Sequence, residues 1–285
     1  MSIFDKFLRI RELGIFSIII IVVIAASIID SRFLTIDSWR AVFLAIPLIL
    51  VMAMGQMMVI ICRHVDISIG SILAFAAITI GFVFIHYPNT SLFMALLITA
   101  SVGTIMGLVN GIIVTRFNVH SIIVTLGTLS LYRGLVFIVS GGRQIDRNDI
   151  PVHIISFSQT SFLLSIPAIL ILSVIIVLIT HLIMRHSVLG REIYATGSNP
   201  EAAHLKGINV TKVTLFCFGV CGMLAGVAGL FYASRFGYVN PGVTGVGIEF
   251  IVIAGVIIGG TSITGGSGSV LGTFLGILLL GIINV

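Results

Sequence analysis

The run AVFLAIPLILVMAMGQMMVIIC, residues 41–62, holds 22 consecutive residues without a charged side chain. As an α-helix rising 1.5 Å per residue it reaches about 33 Å, enough to cross the roughly 30 Å hydrocarbon layer of a bilayer. Comparable stretches lie at residues 13–29, 67–86, 91–115, 162–184 and 213–234, and a less regular one at 117–142 is interrupted by His120 and Arg133. Residues 250–285 carry no charge but are broken by Gly259, Gly260, Gly265, Gly266 and Gly268, so they read as two helices. The expectation is an all-α polytopic membrane protein with about nine transmembrane helices, some of them broken.

Composition supports this. Of 285 residues, 58% are hydrophobic and 9% charged, against about 25% charged in an average soluble domain. The mean hydropathy is +1.24. So few charges cannot cover a soluble surface without leaving large apolar patches. A soluble enzyme and a nucleic-acid-binding domain are therefore excluded. Cys62, Cys217 and Cys221 all lie in apolar runs and read as small packing residues, with no disulfide framework or zinc spacing among them.

The basic residues set the expected orientation. With the N-terminus cytoplasmic, the inner segments hold Lys6, Arg9, Arg11, Arg63, Arg116, Arg185, Arg191, Lys206 and Lys212, and the outer ones Arg32, Arg40, Arg133, Arg143, Arg147 and Arg235. The excess lies inside, as the positive-inside rule requires. The first span reads as a retained helix, because Ala25-Ala26-Ser27 makes a poor cleavage site and further spans follow. Residues 270–285 reach only about 24 Å as a helix and end without a basic or aromatic anchor, so the last helix is expected to be truncated. The whole of 1–285 reads as one transmembrane domain, with residues 185–212 as its longest hydrophilic loop.

Within the spans, Gly103, Gly107 and Gly111 repeat every four residues, as do Gly222 and Gly226, and Gly272 and Gly276. Small residues at that spacing let helix backbones approach closely, and contacts within the chain are the expected use. Catalytic chemistry is not evident. The sequence lacks a G-x-x-x-x-G-K-[ST] phosphate loop, an H-E-x-x-H motif and paired intramembrane carboxylates. No catalytic residue, metal or cofactor is expected, and any ATP hydrolysis belongs to another subunit. Asp66 falls between two spans, where it either caps the following helix or serves transport. Asn110, His120 and Glu249 are each expected to satisfy a neighbouring helix or touch a polar pathway. The break at 259–269 is either a tight turn between two spans or an interrupted segment beside a substrate path.

In the 185–212 loop, Ser198 and Glu201 fit an S-x-x-E capping box, Pro200 suits a first turn and Gly207 a stop. The spacing predicts a helix of about two turns, whose Ala202, Ala203 and Leu205 offer a small apolar surface to a partner.

This loop, GREIYATGSNPEAA at residues 190–203, resembles the cytoplasmic loop of permeases in bacterial ABC importers of the ribose, xylose, rhamnose and autoinducer-2 group. Four further motifs follow the same order: RHVDISIGS at 63–71; NG at 110–111; TLGT at 125–128 with YRG at 132–134; and GGTS at 259–262 with GGSGS at 265–269. His64 and Val65 depart from the residues common at those positions. The resemblance implies two permease chains, identical or related, and two ATP-binding subunits docked on Gly197, Ser198, Asn199, Pro200, Glu201, Ala202, Ala203, Leu205 and Gly207. A periplasmic sugar-binding protein delivers a monosaccharide or similar small polyol, which crosses the bacterial inner membrane inward by alternating access. Nucleic acid is not an expected partner; the lipid bilayer is. The same resemblance implies about one further helix, ten in all. Asp66, Ser68, Ser71, Asn110, Thr125, Thr128, Gly265, Gly266 and Ser267 are the candidates for the translocation path or its gating. The rival class is an ion-coupled secondary transporter, which would need a cation site or paired carboxylates within the spans. An intramembrane enzyme would need a catalytic pair at one depth.

Overall fold

The computed structural model describes residues 11–160 and 166–284, and every regular element in them is a helix. Besides two short 3-10 helices at Ser31–Leu34 and Arg147–Asp149, in order these are α1 (Arg11–Ile29), α2 (Ile36–Ile61), α3 (Ile69–His86), α4 (Leu92–Phe117), α5 (Ser121–Ser140), α6 (Val152–Gln159), α7 (Ala168–His186), α8 (Val188–Ser198), α9 (Pro200–Leu205), α10 (Val210–Phe236), α11 (Ile248–Ile258) and α12 (Val270–Ile283). Seven are long and apolar enough to cross a membrane, and α11 and α12 are shorter apolar helices on either side of the expected break. Lys6, Arg9 and the opening residues of the span expected from residue 162 lie outside the described residues.

Local chemistry sets the ends. Thr35, Ser91, Asn209 and Ser269 each accept a backbone N–H from the first turn of the helix they precede. Asn118 at φ 53° and Gly237 at φ 69° close α4 and α10 in the left-handed region. Asn118 also explains a difference from the sequence: the helix expected from residue 117 begins only at Ser121, after that turn. The short helix α6 was not foreseen. It buries Ile154, Ile155 and Ser158 while exposing His153 and Ser156, an alternation too brief to stand out between two spans.

The two most buried helices, α2 and α10, form the centre, and α3, α4, α11 and α12 surround them. The glycine repeats account for the tightest contact. A Cβ on Gly107 would lie 2.9 Å from the Gly222 Cα, and one on Gly103 2.9 Å from the Gly226 Cα, so α4 and α10 meet backbone to backbone. Gly276 sits in the same way against Gly259, where a Cβ would come within 3.0 Å of its Cα. All three repeats serve contacts within the chain, as expected. The three cysteines are buried thiols, with the Sγ atoms of Cys62 and Cys217 3.5 Å apart.

Turns gather at two ends of the bundle. One end joins Glu12, the 62–68 segment, α8, α9 and the 259–269 turn through bonds such as Ser269 Oγ to Glu12 Oε1 at 2.8 Å. At the other end an antiparallel bridge pairs Ile145 with Val239, and Asn240 Nδ2 donates to Gln144 Oε1 at 2.8 Å. There Arg32 donates to the Asp30 carboxylate and holds it below the usual carboxylate range.

Candidate functional site

The hydrophilic stretch after α7 folds as two short helices. Ser187 caps α8 by accepting the Gly190 N–H at 2.9 Å. The second helix, α9, starts one residue later than a Ser198–Glu201 box would set it. Ser198 is the last residue of α8, and Asn199 is the cap, its Oδ1 accepting the Ala202 N–H at 3.0 Å. The cause is Pro200: it occupies the first helical position and drives the residue before it to extended backbone, here φ −155° and ψ 102°. The expected two turns shorten to six residues. Glu201 still lies in the first turn, where a carboxylate complements the helix dipole. Gly207 at φ 83° turns the chain toward α10. Ala203 is buried and anchors α9, whereas Leu205 is 87% exposed, more than any other large apolar side chain among the described residues. A capped helix thus projects from the bundle with its leucine outward.

Directly behind α9 three segments meet. The Gly266 N–H donates to the Ile61 carbonyl at 2.9 Å. Gly197 leaves no room for a Cβ, which would lie 2.7 Å from the Gly266 N. Arg63 Nε donates to Gly197 O and Arg63 Nη2 to Ser198 O, both at 2.6 Å. Arg63 itself sits at φ 68°, a left-handed conformation that costs a non-glycine residue about 1–3 kcal/mol and persists where surroundings enforce it. The Tyr194 hydroxyl donates to Gly268 O at 2.9 Å. Within the glycine turn, the Ser267 carbonyl accepts the Ser262 N–H and the Ser262 carbonyl accepts the Gly265 N–H. The break is thus a hydrogen-bonded turn between α11 and α12.

Beyond Arg63 the chain runs through a buried polar cluster before α3 begins. Asp66 Oδ1 accepts the Ser68 N–H at 2.9 Å and the Ser68 hydroxyl at 2.7 Å. Asp66 therefore closes a turn ahead of α3 and does not cap it; Ser68 occupies the cap position, but its side chain makes no bond to the N–H groups of the first turn. Asn110 Nδ2 reaches Ser68 Oγ at 2.8 Å and Asp66 Oδ2 at 3.3 Å, and its Oδ1 faces the Tyr132 hydroxyl at 3.1 Å. Val65 N–H donates to Ser121 Oγ at 3.1 Å, and Thr125 Oγ1 lies 3.3 Å from Val65 O. With its amide oriented to donate and accept, Gln56 bonds both the N–H and the carbonyl of Asp66 at 3.2 Å. The 62–68 segment is thereby fastened to α2, α4 and α5, which is how irregular backbone survives inside a membrane protein.

The candidate path residues therefore fall into two groups. Asp66, Ser68, Asn110 and Thr125 join one buried cluster, and Ser71 lies beside it, donating to Leu129 O at 2.9 Å. Thr128 bonds within its own helix at 3.4 Å. Gly265, Gly266 and Ser267 belong to the turn behind α9. Gln56, Tyr132 and Arg63 were missing from the candidates. Gln56 had a signal, being the only amide in the 41–62 run, and a polar group at membrane depth demands a partner. No group of metal-binding side chains occurs among the described residues.

A bundle of helices long and apolar enough to cross a membrane, with a capped helix projecting at one end, has the build of a membrane permease. The chain belongs to the family described as "Branched-chain amino acid transport system / permease component", which matches residues 39–285. It is 34% identical over 253 residues to the autoinducer 2 import system permease protein LsrC of Yersinia pseudotuberculosis serotype O:3 (strain YPIII). The alignment covers 89% of this chain and 70% of that one. The protein of the same name from Yersinia pestis (strain Pestoides F) matches with the same identity and coverage. No solved structure matches. The resemblance drawn from the loop motifs holds: this is a permease of the ABC-importer kind, and an ion-coupled transporter is not favoured.

Proposed function

We propose that the chain carries a monosaccharide or similar small polyol inward across the bacterial inner membrane by alternating access, driven by two ATP-binding subunits that dock on α9. The likeness to autoinducer 2 import permeases over 89% of the chain is the observation that carries this reading. It implies a substrate-binding protein on the outer face and a second permease chain, identical or related. Residues 185–212 then form the coupling segment of a single permease unit. In this reading the seven long helices each cross once, α12 and α11 with the segment leading into it add two crossings for nine in all, and the N-terminus is cytoplasmic. The cluster around Asp66 and the glycine turn at Gly265–Ser267 serve gating, a reading supported by the hydrogen bonds that tie each of them to neighbouring segments of the bundle.

Docking is tested at the cap. A six-residue helix has no stability of its own. Removing the cap costs about 0.5–2 kcal/mol, a factor of about 2–30 in the docking equilibrium. An Asn199→Ala/Glu201→Ala variant is expected to insert normally, lose ATP-binding subunit on co-purification, and lose substrate-stimulated hydrolysis. Full retention with unchanged stimulation refutes docking at α9.

Orientation is tested by labelling. The three native cysteines are buried, so introduced ones report cleanly. Exposed Ser198→Cys is expected to react with an impermeant maleimide only from the cytoplasmic side, and exposed Asn148→Cys only from the periplasmic side. The opposite pattern reverses the topology.

A further inference from the structure

We infer that Arg63 is the positioning residue that transmits movement of the docking helix to the buried polar cluster. This rests on the reading of α9 as the docking element. Gly197 and Ser198 are the last two residues of α8, and carbonyls at a helix end have no partner inside the helix. The Arg63 guanidinium supplies both partners, Nε to Gly197 O and Nη2 to Ser198 O at 2.6 Å. A planar fork with several donors fits two adjacent carbonyls, which a single ammonium cannot span in the same way.

The link is short on both sides. One residue, Asn199, separates Ser198 from the start of α9. In the other direction only His64 and Val65 separate Arg63 from Asp66, whose carboxylate and backbone are bonded to Ser68, Asn110 and Gln56. Asn110 continues to Tyr132 on α5. A chain of fixed contacts therefore runs from α9 through one guanidinium to α4 and α5. The turn at residues 259–269 braces it: the Gly266 N–H holds Ile61 O, and a Cβ on Gly265 would lie 2.9 Å from Gly197 O. The left-handed backbone at Arg63 fits the same role. Glycine would adopt φ 68° freely, yet the position carries the one side chain able to reach both carbonyls.

Contact alone does not demonstrate coupling, so the test measures transport against hydrolysis. The complete complex with its ATP-binding subunits and binding protein is reconstituted with Arg63→Gly or Arg63→Lys. Arg63→Gly relaxes the backbone and removes the fork, so the loop is expected to fold. Arg63→Lys keeps the positive charge. Arg63→Gly should retain the ATP-binding subunit but lower substrate taken up per ATP hydrolysed by about tenfold or more, since both charge-assisted hydrogen bonds are lost. Arg63→Lys should recover less than about half of that ratio, because charge without the fork holds one carbonyl at best. Wild-type coupling in Arg63→Lys means the charge alone matters and overturns the inference, as does wild-type coupling in Arg63→Gly. Loss of the ATP-binding subunit in either variant overturns it as well, making Arg63 part of the docking surface. The Asn199→Ala/Glu201→Ala variant, run in parallel, reports separately on α9: full subunit retention there refutes the docking reading whatever Arg63 does.

Discussion

Gly222→Leu is expected to remove the protein from the membrane fraction almost entirely. In lipid, helices gain nothing by hiding apolar surface from one another, since acyl chains are as apolar as leucine; close van der Waals contact between backbones has to hold them. The α4–α10 seam is built on such contact. A Cβ at residue 222 would lie 2.7 Å from the Gly107 Cα and 2.8 Å from its N, and these are backbone atoms of a helix that cannot turn aside as a side chain can. Forcing in a leucine costs about 3 kcal/mol or more by overpacking and also separates the two helices along the rest of the seam, from Gly111 to Gly226. Set against a stability of about 5–15 kcal/mol, that loss exposes the chain to proteolysis, and abundance should fall about tenfold. Gly127→Leu on α5 is the control. A Cβ there meets nothing within 4 Å, so this variant should accumulate normally. Equal abundance of the two would mean that the seam contributes little.

That seam shows what a sequence can reveal about such a fold. The spacing of Gly103, Gly107 and Gly111 announces a close approach because the requirement is steric and local, one small residue per helical turn. The spans are legible for a similar reason: hydrocarbon thickness imposes a length, and charges mark where it ends. Less legible is whatever depends on residues far apart in the chain. Nothing near Arg63 indicates that its partners are the carbonyls of Gly197 and Ser198, more than 130 positions later. Gln56 and Tyr132 were passed over because each looks incidental within its own helix, and only folding brings them to Asp66 and Asn110. The misplaced cap on α9 is a different kind of miss. Both rules were available in the stretch Ser198-Asn199-Pro200-Glu201, and the restraint that proline places on its predecessor outweighs the match to S-x-x-E.

Gly266→Val should cut uptake far below what its abundance explains, because it strikes the junction behind the docking helix and not the centre of the bundle. Two costs combine at this position. The backbone stands at φ 73°, where a β-branched residue is strained by about 1–3 kcal/mol. A Cβ would also lie 2.8 Å from the Ser198 Cα and 3.0 Å from its N, adding about 1–3 kcal/mol of overpacking. Relief requires the turn to withdraw from α8, which breaks the bond from Gly266 N–H to Ile61 O and loosens the frame around Arg63. The two costs separate by comparison with Gly142→Val at the opposite end of the bundle. Gly142 has nearly the same φ, 74°, but a Cβ there meets nothing within 4 Å, so its variant carries the backbone strain alone. Uptake by Gly142→Val should fall modestly and in proportion to its abundance. Uptake by Gly266→Val should fall about tenfold below what its abundance explains, the equivalent of the extra 1–3 kcal/mol acting at the junction. If the two variants lose uptake only in step with abundance, the glycine turn is needed for folding and takes no part in coupling.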